Sequence, residues 1–538
     1  GVGLNNRIQD VLLDVSQKVI AEEAGEVIFD SDLFAFQVGG MEVKEGGVIR
    51  DDRGLSVTAT GPVIIDGTLL VDEAMYTFED LVSVRDSGNL VPNRATAVVR
   101  FLGGLRNNGN LQLANNDVFG AGIFDGDIPI VVGDLLIRDG DSLIIENTAG
   151  LFISDSLEGE GPDAVLVNRS RIEFGSGIQT YVPMDQGELD LSFAGNTVAY
   201  VSTRANQVIR RAEYMNLEVS ENTKVLSDGN ISLRGNLILG ADINKNPDLF
   251  DAGPIRFIGE QAQQIMGEGI VPSIEVDKTG GSLQVVDDIV IRESFIMTNG
   301  ITNANPGVIG LLGGATLVET EASYVAGTVA SQRNIDAGGA NSFGGIGIKI
   351  RAAGSQPMGI TTVLRHTDMP VLPGHIERYF EIQPTNNENL DAVVEFSYFQ
   401  REITGAVEAD LDIMHSPNND GNFERLGGQV FQVSNFIRRS NIDVLGTISV
   451  SPVSVAVLGY PSPFTEELNV DYVVEKDELV RFSLIDMAGR AVVRETLQAR
   501  AGKNTYLINR PDLRAGIYFL HISSSDNEGY RKVVKVNP

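Results

Sequence analysis

Apolar residues recur at every second position in short runs along almost the whole chain, and the runs stop at Asn, Asp or Gly. Between Asn196 and Leu239 the runs are Val198-Ala199-Tyr200, Gln207-Val208-Ile209, Leu217-Glu218-Val219, Asn230-Ile231-Ser232-Leu233 and Leu237-Ile238-Leu239. Period-two alternation over a few residues, with turn formers between, marks short half-buried strands. A helix would set apolar residues three or four apart, and hardly any segment does so. The chain is therefore expected to be all-β.

The phrasing then returns. Ile209 can be paired with Ile265, Leu217 with Ile274 and Leu237 with Phe295, at offsets of 56, 57 and 58 residues. A near-constant offset predicts one set of short strands laid down twice. A weaker version precedes it in Ala97-Val98-Val99-Arg100-Phe101 and Gly133-Asp134-Leu135-Leu136-Ile137. Strands this short and even favour a parallel β-solenoid over residues 41–325, coiled at roughly 22 residues per turn. A string of separate β-sandwiches would share the patterning and stays open as the other all-β arrangement. Residues 1–40 read as a lead-in, or as the remainder of a larger protein. Because the chain begins Gly1-Val2-Gly3-Leu4, a mature product or a fragment is expected.

From Tyr324 the pattern changes to longer alternating runs, among them Ile376-Glu377-Arg378-Tyr379-Phe380-Glu381-Ile382 and Ala392-Val393-Val394-Glu395-Phe396. Residues 326–457 are expected to form a β-sandwich, with a junction near Leu458-Gly459. Beyond it, residues 459–538 predict a second, smaller sandwich. Leu468, Val470, Tyr472 and Val474 share one strand face, and Val480, Phe482 and Leu484 share another. Pro461 and Pro463 stiffen the start and cannot sit in a central strand.

The pieces of that last segment are ordered. Tyr460-Pro461-Ser462-Pro463-Phe464 comes first, then Phe482-Ser483-Leu484-Ile485-Asp486-Met487-Ala488-Gly489-Arg490. Gly502-Lys503-Asn504, Leu513-Arg514-Ala515-Gly516-Ile517-Tyr518 and Lys532-Val533-Val534-Lys535-Val536 follow. In that order and spacing they resemble the type A C-terminal sorting domain of the type IX (Por) secretion system of Bacteroidetes. Residues 326–457 are similar to a module that commonly precedes it, and the repeats to filler regions of large surface proteins from the same bacteria.

The resemblance implies a cargo carried through the periplasm and across the outer membrane by the type IX translocon. An outer-membrane shuttle barrel and a sortase would recognise the tail and cut it near Leu458-Gly459. The cargo would then be released or anchored on lipopolysaccharide. Pro461, Pro463, Phe464, Asp486, Gly489, Arg490, Gly516, Tyr518, Lys532 and Lys535 are the residues expected to carry recognition. Gly489 and Gly516 would serve backbone geometry, and Arg490, Lys532 and Lys535 would supply charge. Gly516-Ile517-Tyr518 and Lys532 to Val536 are expected to offer an edge for pairing.

Bulk chemistry narrows the classes. A formal net charge of −32 argues against nucleic acid as a partner and fits a solvated exported surface. With no Cys, disulfides and thiolate metal sites are excluded. The four histidines, His366, His375, His415 and His521, form no ligand pair of familiar spacing. Asp242-Ile243-Asn244-Lys245-Asn246-Pro247-Asp248 sets oxygen ligands at alternate positions, as calcium loops do, so Asp242, Asn244, Asn246 and Asp248 are candidate calcium ligands. It lacks the sixth-position Gly and the Glu at twelve, Pro247 stiffens it, and the residues read first as a polar turn between two coils. Pro417-Asn418-Asn419-Asp420-Gly421-Asn422 reads as a hairpin turn. No cluster of basic residues beside carboxylates stands out in the repeats. The expected role is that of a structural or adhesive surface protein rather than an enzyme. A carbohydrate-active β-helix enzyme, a polysaccharide lyase or hydrolase, is the alternative.

Overall fold

The computed structural model describes residues 5–8, 17–29, 35–51, 56–71, 75–92, 97–177, 181–246, 251–371, 375–403, 408–452, 457–460, 462–474, 477–500, 502–524 and 528–537. Among them the fold is nearly all β, with three short 3-10 turns and no α-helix. A parallel β-solenoid spans residues 18–331, with Asn5–Ile8 paired in parallel to its strand Glu26–Phe29, and antiparallel sheets follow. The chain divides into two compact units, Gly1–Leu283 and Gln284–Pro538.

In the first unit each coil contributes a strand to each of three parallel ladders. Coils near the start are typical. Val48–Asp51, Ser56–Ala59 and Val63–Ile65 pair onward with Thr68–Val71, Met75–Phe78 and Val82–Val84. Alternation decides what is buried: Val57, Ala59, Tyr76, Phe78, Val99 and Phe101 are all fully enclosed. Like residues stack coil on coil, as in Phe78 over Phe101 with ring centroids 5.6 Å apart. A thin core without Trp is thus continuous along the ladder axis. Turn positions are equally constrained. A Cβ on Gly88 would lie 2.1 Å from the Ile65 carbonyl oxygen, and one on Gly109 2.2 Å from that of Arg85, so only glycine fits.

Buried asparagines satisfy turn carbonyls from neighbouring coils. Asn147 Nδ2 donates to the carbonyls of Ile128 at 2.9 Å and Asp125 at 3.1 Å. Asn196 Nδ2 donates to Asn168 O at 3.0 Å, and the half-buried Asn216 adds a bond from its Nδ2 to Asn196 O at 2.8 Å. The Asn-rich punctuation of the sequence therefore serves the interior as well as the turns.

Two expectations change. Lys18–Ala21 already pairs in parallel with Gly40–Val43, so coiling begins well before residue 41. The repeat pairing also slips. Ile209 lies in the Gln207–Ile209, Lys224–Leu226 ladder, whereas Ile265 pairs with Leu237 in another. Leu217 and Ile274 likewise belong to different ladders. Coil length ranges from 17 residues, Gln207 to Lys224, to 28, Leu237 to Ile265, so a fixed offset cannot stay in register.

In the second unit Tyr324–Ile335 ends the solenoid and opens the next module within one strand. It pairs in parallel from Ile301↔Tyr324 to Leu311↔Ser331, and antiparallel with Gly359–Thr367. The changeover therefore falls inside a strand rather than at residue 325. One antiparallel sheet continues through Arg378–Pro384, Thr447–Pro452 and Leu411–Ser416. The other contains Ile348–Ala352, Ala392–Ser397 and Phe436–Ile442. Phe380 and Phe396 meet edge to face between the sheets at 5.0 Å. A buried ion pair ties the last coil to this sandwich. Arg365, fully enclosed, holds both carboxylate oxygens of Glu319, and Glu319 Oε1 accepts the Val325 amide at 2.7 Å.

Candidate functional site

The terminal domain consists of β1 (Val457–Tyr460), β2 (Glu467–Val474), β3 (Glu478–Asp486), β4 (Ala491–Ala499), β5 (Gly502–Asn509), β6 (Gly516–Ser523) and β7 (Glu528–Lys535). They form two antiparallel sheets, ordered β1-β2-β5 and β4-β3-β6-β7. Leu468, Val470, Tyr472 and Val474 face Val480, Phe482 and Leu484 across one core, each no more than 3% exposed. Both alternations read from the sequence are realised. The expected junction, Leu458-Gly459, lies within β1, paired to Asp471 and Val470 of β2, so the domain includes residues before 459.

The candidate recognition residues take distinct places. Asp486 to Arg490 form the β3–β4 turn. Asp486 Oδ1 accepts the amides of Ala488 at 2.9 Å and Arg490 at 3.0 Å, and Oδ2 accepts Arg490 Nε at 2.9 Å. These bonds, with Arg490 first, hold the Asp486 carboxyl below its usual range. Gly489 sits at φ +76°, the left-handed region. Tyr518 is buried, its hydroxyl donating to Arg514 O at 2.8 Å. Phe464 is 1% exposed in the core. Pro463, exposed, precedes it, and Pro461 lies outside the described residues.

Three expectations are corrected. β6 runs between β3 and β7, so Gly516-Ile517-Tyr518 is not an edge. Gly516 has no positive φ, and a Cβ there would lie 4.0 Å from the Tyr518 ring, so glycine is not required. Lys535 is 2% exposed with Nζ donating to the Thr465 carbonyl, so its ammonium is not surface charge. The edge itself is β7, and it is partly occupied. Phe464 N donates to Val534 O at 2.8 Å and Val536 N to Phe464 O at 2.9 Å. Arg531 Nη1 donates to Phe423 O at 3.1 Å, which brings the turn after Pro417 against the same strand.

The calcium candidates are part of a ladder. Asp242 Oδ1 accepts the Ile270 amide at 2.9 Å, and Asn244 belongs to strand Ile243–Asn244, paired with Val225. Asp248 lies outside the described residues. Among those described, no three His, Cys, Asp or Glu side chains converge as a metal site.

A polar cleft in the first unit was not legible in the sequence. It is lined by Val182, Asp185, Arg210, Arg211, Ser227 and Asp228 and measures about 330 Å³. Here arginines do lie beside carboxylates, contrary to the sequence expectation. It sits where one ladder ends, at Glu188–Asp190, and another begins, at Gln207–Ile209. Arg210 spans the break, donating to the carbonyls of Pro183, Met184 and Gly187. Beneath it, Tyr200 and Tyr214 are fully buried with hydroxyls 3.0 Å apart, and burial raises both phenols. The one available signal was the Arg210-Arg211 doublet.

No curated protein matches this chain. In structure the chain is similar to the crystal structure of the enzymatically active domain of bacteriophage CBA120 tailspike protein 4, at 10% identity and a TM-score of 0.15. The match covers 92% of this chain and 63% of that one, so the chain spans less than two thirds of it, and so weak a likeness carries no argument. Residues 459–536 match the family described as the secretion system C-terminal sorting domain. That tail, behind a β-solenoid of about 14 turns, is the type IX sorting domain, and it directs the protein to the cell surface or the extracellular space.

Proposed function

We propose that the exported chain is a structural or adhesive surface protein of a member of the Bacteroidetes. The observation that carries this is how the solenoid uses its charges. Arg50 pairs with Glu26 at 2.6 Å, Arg106 with Asp125 at 2.7 Å and Arg169 with Glu146 at 2.6 Å, each partner one coil away. Arg256 holds Glu275 at 2.9 Å and Asp277 at 3.0 Å in the same manner. Basic side chains so placed relieve repulsion between stacked carboxylates, the requirement of a strongly acidic scaffold. The handling of the tail belongs to the same reading: capture by an outer-membrane shuttle barrel, sortase cleavage, and release or attachment to lipopolysaccharide. A strain lacking the protein should lose surface attachment while secreting other cargo normally; unchanged attachment would remove the adhesive part.

The cleft at Arg210 and Arg211 favours a second reading, a polysaccharide lyase or hydrolase secreted by the same route. Arg211, whose guanidinium is not spent on backbone carbonyls as that of Arg210 is, stands beside the carboxylates of Asp185 and Asp228 in one groove, the combination such chemistry needs. Incubating the purified protein with neutral glucans and mannans as well as pectin- and alginate-type polymers decides between them. Cleavage that disappears in Asp185→Asn would replace the structural reading.

A further inference from the structure

We infer that the cleft around Arg211 is a binding site for a neutral, hydroxyl-rich ligand, an uncharged oligosaccharide. This deepens the adhesive reading by giving it a ligand class. The site is built rather than incidental. Arg210 is committed to three backbone carbonyls and fixes the wall carrying Val182 and Asp185. Arg211, next in sequence, is exposed, and its stem lies over Gly229.

Ser227 supplies an independent sign. It is 5% exposed and lines the cleft, and its Oγ has no hydrogen-bond partner among the described residues. A buried hydroxyl without a partner is unfavourable, and a ligand hydroxyl arriving in the cleft would satisfy it. Asp228 is held in place by the Asp251 amide, which donates to its Oδ1, leaving Oδ2 for a ligand.

The mixture of groups selects the chemistry. Asp185 and Asp228 accept hydrogen bonds only, Arg211 donates only, and Ser227 does either. A sugar hydroxyl both donates and accepts, so one diol can serve a carboxylate and the guanidinium together. A polyanionic chain is disfavoured, because Asp185 and Asp228 face the cleft and Glu158 lines the adjoining hollow. The Arg211 guanidinium opposes a metal cation in the same space. Val182 offers a small apolar surface for a sugar face.

The test is calorimetric titration of the full chain with maltohexaose, cellohexaose, mannohexaose and, as the acidic comparison, hexagalacturonate. Saturable binding of at least one neutral hexasaccharide is expected, weakened about tenfold or more in Arg211→Ala and in Asp228→Asn. Both side chains are exposed, so each variant should keep the wild-type melting temperature, which establishes that it is folded. Absence of binding to all three neutral sugars at about 10 mM, preference for hexagalacturonate, or full affinity in Arg211→Ala would each overturn the site. Cell attachment separates the two failures. If Arg211→Ala restores attachment to a deletion strain, the site is wrong and the adhesive reading stands. If deletion itself leaves attachment unchanged, the adhesive reading falls whatever the titration gives.

Discussion

Phe464 pairs in parallel with Lys535, and this one bridge seals the end of the last strand of the sorting domain. The Phe464 ring is in the core while its backbone takes the edge groups of Val534 and Val536, and Lys535 Nζ lies 5.8 Å from that ring. Removing Arg531 to Pro538 would delete the bridge, the fully buried Val533 and most of the ladder to β6. The truncated sorting domain should therefore lose protease resistance, and its failure to reach the surface would not isolate recognition.

Lys532→Pro isolates it better. Val534 directs its carbonyl and amide outward, to Phe464 and Ser462 Oγ, and strand alternation turns Lys532 the same way. A proline there removes an outward amide without taking a bond from β6. The variant should melt near the wild type yet reach the surface several-fold less efficiently, measured by surface labelling. Wild-type export would exclude edge pairing on β7 as the recognition step.

The two glycines of the tail should respond differently. Gly489→Ala forces a side chain to φ +76° in open space, which costs about 1 kcal/mol of backbone strain and nothing in clashes. Gly516→Ala meets only the Tyr518 ring at 4.0 Å and should change stability by less than about 0.5 kcal/mol. Denaturant midpoints of the two variants check this, and equal losses would contradict it.

Which parts were legible follows from the range of the forces involved. The faces of Leu468 to Val474 and Val480 to Leu484 were readable because pleat alternation is fixed by adjacent residues. Ladder membership of Ile209 and Ile265 was not, because it depends on the summed length of every turn between them. Neither was the position of Gly516, since sheet order is set by long-range pairing. The cleft escaped for the same reason: Asp185 and Arg211 are far apart in sequence, and only the coil brings them to one wall.

Lys224 tests how the solenoid tolerates buried charge. It is fully enclosed, and its ammonium donates to the carbonyls of Ser202 at 3.1 Å, Ser220 at 2.6 Å and Asn222 at 2.6 Å. Met has nearly the same length and no donor, so Lys224→Met should leave three turn carbonyls unmatched. A loss of about 3 kcal/mol is expected, read by chemical denaturation. A neutral or stabilising outcome would mean that shedding the cost of burying the ammonium outweighs the three bonds.

The sandwich should weaken in mild acid through His366. Its ring stacks on Tyr379 at 4.3 Å, and Thr328 Oγ1 lies 3.2 Å from Nδ1, while Arg365 stands next to it. Burial, with Arg365 adding to it, pushes the imidazole down to about 4, and burial does the same to His375. The unfolded chain takes these protons near pH 6.5, the folded one only near 4. Between those values the unfolded state binds more protons, so stability falls as pH drops and levels off below about 4. For His366, 9% exposed, the loss is up to about 3 kcal/mol, reduced by Glu381 Oε1 at 3.5 Å from Nε2. Carboxylates also titrate in this range, so the comparison must be with His366→Gln. That variant should lose less stability than the wild type between pH 7 and about 4.5 in denaturant titrations. Identical losses would place the acid sensitivity elsewhere.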